Sequence, residues 1–256
     1  MSGLLEVANA TIRFGGLVAV KDLSFSVAEG ELFGLIGPNG AGKTTVFNLI
    51  TGVYAPTLGA IRFAGREVQG RPPHRLAAAG IARTFQNIRL FPDMTVLENV
   101  MVSRHMRKRQ GLAGAVFRSA AFLREEEEFR TDALRLLDLF QMGHMAEEQA
   151  ANLPYGSQRR LEIARALAAK PRLLLLDEPA AGMNPQESAD LMRLIRRLRD
   201  EFHVTILLVE HNMKVVMGVC ERIQVLVHGE GIAIGDPAAI RKDPRVIEAY
   251  LGKEHA

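Results

Sequence analysis

Residues 37–44 read Gly-Pro-Asn-Gly-Ala-Gly-Lys-Thr, a complete G-x-x-x-x-G-K-[ST] pattern set directly after the apolar run Leu32–Ile36. The glycines let backbone N–H groups converge on an anion without a Cβ in the way. A helix opening at Lys43 adds the partial positive charge of its N-terminus. Lys43 is placed to reach β- and γ-phosphates, and the Thr44 hydroxyl to ligate Mg²⁺. Gly37, Pro38, Asn39, Gly40, Ala41, Gly42, Lys43, Thr44 and Thr45 are therefore candidate residues for binding a nucleoside triphosphate. The pattern works only between a strand and a helix, so it demands an α/β fold.

A second apolar run supports that demand. Leu173–Leu176 is uninterrupted and ends in Asp177-Glu178. Such a run suits a central parallel strand covered on both faces, with its acids at the carboxyl end where α/β ligands bind. Asp177 can hold Mg²⁺, and Glu178 beside it can take a proton from attacking water. A strand ending in Asp-Glu is weak evidence alone and gains its meaning from the phosphate loop.

The rest of the chain sorts around these two signals. Short β-like runs at Leu5–Phe14, Leu23–Val27 and Glu31–Ile36 are punctuated by Gly15-Gly16 and Glu29-Gly30. A helix is expected from Lys43 to about Thr51, stopped by Gly52, and a strand over Ile81–Phe85. From Asn87 to Arg160 the pattern turns helical, with Val96–Met101 and a long segment over Ala121–Phe140 in which Leu123, Phe129, Leu134, Leu137 and Phe140 recur at helical spacing. Helix Ser157–Ala169, strand Leu173–Asp177, helix Gln186–Arg199 and strand Thr205–Glu210 then alternate, which implies a parallel sheet covered by helices. Two short strands flank Gly229, and the tail from Pro237 is helical. The expected fold is α/β: a mostly parallel sheet with N-terminal antiparallel strands and an inserted α-helical subdomain.

Composition narrows the partners. With 32 Lys and Arg against 29 Asp and Glu among 256 residues, the chain carries +3. Basic residues are dispersed apart from Arg104, Arg107, Lys108 and Arg109, so no nucleic-acid stripe is expected. That cluster reads as a solvated helix end or a contact with an acidic lipid surface or partner, and Glu125–Glu128 as a solvated helix face. The single cysteine, Cys220, rules out an internal disulfide and reads as a core residue. No apolar run approaches the ~18–20 residues of a membrane span, and Met1–Glu6 lacks a basic region followed by an apolar one, so no secretory leader is expected.

The segment Leu153-Pro154-Tyr155-Gly156-Ser157-Gln158-Arg159-Arg160-Leu161-Glu162-Ile163-Ala164-Arg165-Ala166-Leu167 precedes the acidic strand. It resembles the signature of ATP-binding-cassette (ABC) proteins. A phosphate loop, this signature and Asp-Glu in this order are specific to the ABC ATPases, a branch of the P-loop NTPases, and the resemblance covers essentially the whole chain. It implies a single cassette over 1–256: a nucleotide-binding core of 1–87 and 161–236, a helical signature subdomain of 88–160 and a tail of 237–256. It also implies ATP and Mg²⁺ as cofactors, with Phe14 stacking on adenine, Gln86 sensing Mg²⁺ and attacking water, and His211 contacting the γ-phosphate. Gly156, Ser157 and Gln158 would cap the nucleotide of a second ATPase subunit, in a homodimer or a paralogous heterodimer.

The wording is narrower still. Arg83-Thr84-Phe85-Gln86-Asn87-Ile88-Arg89-Leu90-Phe91-Pro92-Asp93-Met94-Thr95-Val96-Leu97-Glu98-Asn99-Val100, Glu210-His211-Asn212-Met213 and the tail Asp243–Gly252 are similar to the branched-chain amino acid (Liv-type) importers. That resemblance implies membrane permease subunits, indirectly a substrate-binding protein, and a peripheral place on the cytoplasmic face of the inner membrane. Two departures stand out. The common Leu-Ser-Gly-Gly-Gln reads Leu153-Pro154-Tyr155-Gly156-Ser157, so the hydroxyl and N–H of a serine are lost at 154, as is normal for this subfamily. The usual D-loop aspartate is Asn184, which weakens any role needing charge there. Lipid or lipopolysaccharide export, and import of an amide, urea or another amino acid, remain alternatives. ABC ATPases of DNA repair or translation and nucleotide kinases fit the motifs less well.

Overall fold

The computed structural model describes residues 3–104 and 120–251, which fall into two compact units, 1–83 with 172–256 and 84–171. The first unit contains strands β1 (Leu5–Phe14), β2 (Leu17–Val27), β3 (Leu32–Ile36), β4 (Leu58–Phe63), β5 (Arg66–Glu67), β6 (Ile81–Arg83), β7 (Leu173–Asp177), β8 (Thr205–Val209), β9 (Arg222–Val227) and β10 (Glu230–Gly235). They form an antiparallel sheet in the order β2-β1-β4-β5 and a six-stranded sheet in the order β10-β9-β3-β8-β7-β6. In the larger sheet every pairing is parallel except that of the edge strand β10 with β9. All five residues of β3, β7 and β8 are buried, as central parallel strands require. Core side chains come from both sheets and from the first helix, with Phe33 stacked on Phe25 and Phe47 fully enclosed.

Helices α1 (Lys43–Ile50) and α2 (Pro73–Ala79) belong to the first unit, while α3 (Val96–Val102), α4 (Ala120–Leu139) and α5 (Tyr155–Ala168) build the second. The first unit resumes with α6 (Pro185–Phe202), α7 (Met213–Val219), α8 (Pro237–Lys242) and α9 (Pro244–Leu251). Helix α3 starts at a capping box: Thr95 Oγ1 accepts the Glu98 N–H at 3.1 Å and Glu98 returns a 2.8 Å acceptor to the Thr95 N–H. The units divide at 83/84 and 171/172, whereas the sequence patterns suggest 87/88 and 160/161. The difference arises because α5 holds the 85–89 segment through side-chain bonds, which keeps both in one unit.

Several elements differ from their expectation. The strand expected over Ile81–Phe85 stops at Arg83. Strand β2 begins six residues before Leu23, and β4, β5 and α2 have no counterpart in the sequence reading. The helix over Ala120–Leu139 buries Ala133, Leu136 and Leu137, but Leu123 is exposed, because only its C-terminal half packs. Arg104 is buried, not solvated: its guanidinium meets Asp132 at 2.6 Å and lies over Phe129. Arg107, Lys108 and Arg109 lie outside the described residues. Cys220 is buried just past the end of α7, and burial pushes its thiol up to about 12.

Candidate nucleotide-binding and hydrolysis site

Register brings three loops to one edge of the large sheet. Leu35 of β3 pairs with Val209 of β8, and Val209 pairs with Asp177 of β7. The phosphate loop leaves β3 after Ile36, the segment carrying His211 leaves β8, and Glu178 follows β7, so all three emerge at the same carboxyl edge, with strands spaced ~4.8 Å apart. In open α/β sheets this edge is the ligand-binding one.

The phosphate loop is tightly fitted. A Cβ on Gly37 would lie 2.0 Å from the Leu226 carbonyl oxygen, so only glycine lets the loop pass that strand. Gly42, the N-cap of α1, adopts φ 102 and offers no side-chain cap, leaving the first-turn N–H groups for an incoming anion. Lys43 is buried, and its Nζ donates to the carbonyls of Gly37 at 2.8 Å and Pro38 at 3.0 Å. The cation is thus already folded over the loop it would help fill with phosphate. Thr44, Asn39 and Gly40 are exposed, and Thr45 and Pro38 are half-buried.

The acidic pair divides by environment. Asp177 is buried and paired with Arg83 Nη2 at 2.8 Å; Arg83 Nη1 also donates to Asn48 Oδ1 of α1 at 2.7 Å, and its guanidinium lies over Phe47. One arginine therefore ties the end of β7 to the helix behind the phosphate loop. Glu178 is more open and sits at φ 46, a left-handed conformation that costs a non-glycine residue energy. Its N–H donates to the Val209 carbonyl at 2.9 Å, and its Oε2 lies 3.6 Å from Nδ1 of His211, which is itself exposed. Glu210, between Val209 and His211, is only 1% exposed, and burial pushes its carboxyl above the usual range.

Phe14 ends β1 beside the Gly15-Gly16 turn and is 43% exposed, which is unusual for a large aromatic ring in a strand. Its ring meets that of Tyr54 edge-on, with centroids 5.1 Å apart at 71°. Tyr54 lies in the loop after α1, where its N–H donates to Asn48.

The remaining candidates lie in the second unit. Gln86 is exposed, and its carbonyl accepts from Arg159 of α5. Arg159 also donates to the Phe85 carbonyl at 2.5 Å and pairs with Glu162 at 3.0 Å; Glu162 accepts the N–H groups of Phe85 and Arg89, both at 3.3 Å. Both side chains of this pair are 2% exposed. Gly156, Ser157 and Gln158 fall in the first turn of α5, half-buried, and Gln158 Nε2 donates to the Leu153 carbonyl. Pro154 occupies the N-cap without a side-chain bond, so the helix start remains open to an anion. Asn184 proves to be the N-cap of α6, where its side chain accepts the Glu187 N–H at 2.9 Å; the position needs an acceptor there rather than a charge.

The family model described as "ABC transporter" matches residues 20–181. The chain belongs to the ABC transporter family. A second model, "Branched-chain amino acid ATP-binding cassette transporter", matches residues 232–256 of the cassette. The cassette is 49% identical over 250 residues, covering 98% of both chains, to the high-affinity branched-chain amino acid transport ATP-binding protein BraF of Pseudomonas aeruginosa. It is 46% identical over the same length, again 98% of both, to LivG of Escherichia coli K12. Among solved structures, the ADP conformation of the MJ1267 cassette aligns with a TM-score of 0.85 at 30% identity, covering 98% of this chain and 100% of that one. A post-hydrolysis dimer of MJ0796 with ADP and Pi aligns at 0.77 and 28%, covering 91% and 98%. The cassette is an ATPase with the α/β P-loop fold read from its sequence.

Arg83, Arg159, Glu162 and Glu210 escape a sequence reading. Apart from the Arg159–Glu162 pair, three residues apart, and the N–H groups of His211 and Asn212 beside Glu210, their hydrogen-bond partners lie 30 or more positions away along the chain. The one signal available was the charge itself, which for Arg83 and Glu210 adjoins an apolar strand.

Proposed function

We propose that the cassette powers uptake of branched-chain amino acids, as one of two ATPase subunits bound at the cytoplasmic face of a membrane permease that a substrate-binding protein supplies. The observation carrying this reading is the 49% identity, over 98% of both chains, to a branched-chain amino acid transport ATP-binding protein. The lipopolysaccharide export protein LptB of Acidithiobacillus ferridurans is 35% identical over 254 residues, which ranks export behind import. No helix among the described residues is long and apolar enough to cross a membrane, so this reading makes attachment depend on the permease.

In this reading the loop amides of residues 37–42 and Lys43 bind the phosphates of ATP, and Phe14 takes the adenine. Thr44, Asp177 and Gln86 supply a hydroxyl, a carboxylate and an amide oxygen. Such hard oxygen donors suit Mg²⁺, which takes only one or two protein ligands and fills its octahedron with phosphates and water. Arg83, paired with Asp177 at 2.8 Å, holds that carboxylate in position. When bound, Mg²⁺ neutralises charge developing on the phosphates. Glu178 accepts the proton of the attacking water, and its position near the open edge of the sheet gives water access. His211, 3.6 Å from Glu178, turns toward the γ-phosphate when that group arrives. Gly156, Ser157 and Gln158 cap the nucleotide of the second subunit through the open start of α5. ATP then favours the closed dimer because it contacts both subunits only in that state.

The test is leucine uptake by cells lacking this gene and complemented with wild type or Lys43→Ala. Uptake restored by wild type alone supports the reading; equal uptake in all three strains, with redundant carriers removed, rejects the assigned substrate. For the chemistry, Glu178→Gln should retain ATP and accumulate dimers. Wild-type hydrolysis by that variant would remove Glu178 as the base.

A further inference from the structure

A glutamate with no part in the chemistry above is buried beside it. Glu210 follows the apolar run of β8, where a buried carboxyl group has a high desolvation cost unless N–H groups meet it. They do. The Ala180 N–H donates to Glu210 Oε1 at 2.9 Å, and the backbone N–H groups of Asn212 and His211 also face the carboxyl. Ala180 belongs to the turn that starts at Glu178, closed by a 3.1 Å bond from the Ala181 N–H to the Glu178 carbonyl. His211 and Asn212 belong to the segment that leaves β8.

We propose that Glu210 is a positioning residue of the ATPase site: its carboxyl group fastens the turn carrying Glu178 to the segment carrying His211. The inference rests on the roles given above to those two residues. Two observations make such a fastening necessary. Glu178 sits at φ 46, so its turn stores backbone strain and needs external bonds to persist. In one such bond the Glu178 N–H donates to the Val209 carbonyl; in the other the Ala180 N–H, two residues further along the turn, donates to the Glu210 carboxyl. Both acceptors therefore belong to consecutive residues, Val209 at the end of β8 and Glu210 just after it. His211 extends from the very next residue, which holds its Nδ1 3.6 Å from Glu178 Oε2. A carboxyl at 210 thus sets the spacing between the general base and the histidine without touching either the nucleotide or the water.

The test compares full-length wild type with Glu210→Leu, Glu210→Gln and the control Glu178→Gln. The readouts are kcat and KM for ATP, equilibrium ATP binding, and amide exchange across residues 178–183. Leucine keeps the approximate volume and removes the acceptor; glutamine keeps an acceptor oxygen for the Ala180 N–H. Displacing a catalytic group by ~1 Å costs on the order of 100-fold, so Glu210→Leu should lose about 10- to 100-fold in kcat while ATP affinity changes less than about twofold. Its 178–183 amides should exchange faster. Glu210→Gln should stay within about threefold of wild type in kcat, with wild-type exchange. Unchanged kcat in Glu210→Leu, an equal loss of affinity and kcat, or a Glu210→Gln variant as slow as Glu210→Leu would each overturn the proposal. Should the leucine variant fail to fold, the glutamine variant alone decides: loss of kcat with Ala180 still protected refutes it. A Glu178→Gln control that hydrolyses ATP normally would reject the underlying site reading instead.

Discussion

Replacing Arg159 by methionine tests the energetics of the second unit. The methionine fills most of the space but removes the donors to Glu162, to the Phe85 carbonyl and to the Gln86 carbonyl. Glu162 then keeps two backbone N–H donors at 3.3 Å and the more distant charge of Arg165, but loses its ion-pair partner in a site where both side chains are 2% exposed. Breaking a buried ion pair from one side costs about 3–5 kcal/mol, because the remaining charge loses its direct partner. Against a typical net stability of ~5–15 kcal/mol that is about a fifth of the total or more. For a chain of this size it lowers Tm by about 10 °C. The double variant Arg159→Met, Glu162→Gln removes the stranded charge and should recover about 1–2 kcal/mol of the loss. Urea titration followed by far-ultraviolet circular dichroism measures both, with the m-value checking that the unfolded states are comparable. A loss below about 1 kcal/mol for the single variant, or a double variant no more stable than the single, would show that water reaches Glu162 and that the pair is not buried in solution.

Three further outcomes follow from the same reasoning. Tyr54→Ala removes the edge-on support of Phe14 and should weaken ATP binding about 2- to 10-fold, the range of an aromatic pair, while inhibition by inorganic tripolyphosphate, which has no base, stays unchanged. Burial holds the Cys220 thiol at about 12, so it remains protonated at pH 8 and should react with a thiol reagent at least about 100-fold more slowly in native than in urea-unfolded protein; equal rates would contradict its burial. Asn184→Ala should destabilise the chain by about 1 kcal/mol in urea titration and Asn184→Asp by only a few tenths, because the aspartate keeps the acceptor for the Glu187 N–H.

The legible elements were those whose local chemistry has only one outcome. Leu173–Leu176 followed by two acids, and Leu32–Ile36 followed by a glycine-rich loop, carry both their structure and their place in the sheet in a few adjacent residues. Strand β4 did not. Its Gly59, Ala60 and Arg62 have weak strand preference, and only Ile61 and Phe63 face the core; it is a strand because Leu5, Val7 and Ala8 of β1 pair with it. Arg104 misled for a related reason, since a basic cluster in the sequence says nothing of an Asp132 that waits 28 residues away.

What the sequence determined by itself was the nucleotide loop, the acidic strand end, the signature helix and the family they define, because each is a run of residues whose spacing acts through its own backbone. What tertiary structure decided was how those groups are held. Arg83 on Asp177, Glu210 on Ala180 and Arg159 on the carbonyls of Phe85 and Gln86 join residues 30 to 94 positions apart. A buried charge is tolerated only where folding brings donors and acceptors around it, and those partners are fixed by strand register and helix packing rather than by neighbours in the chain.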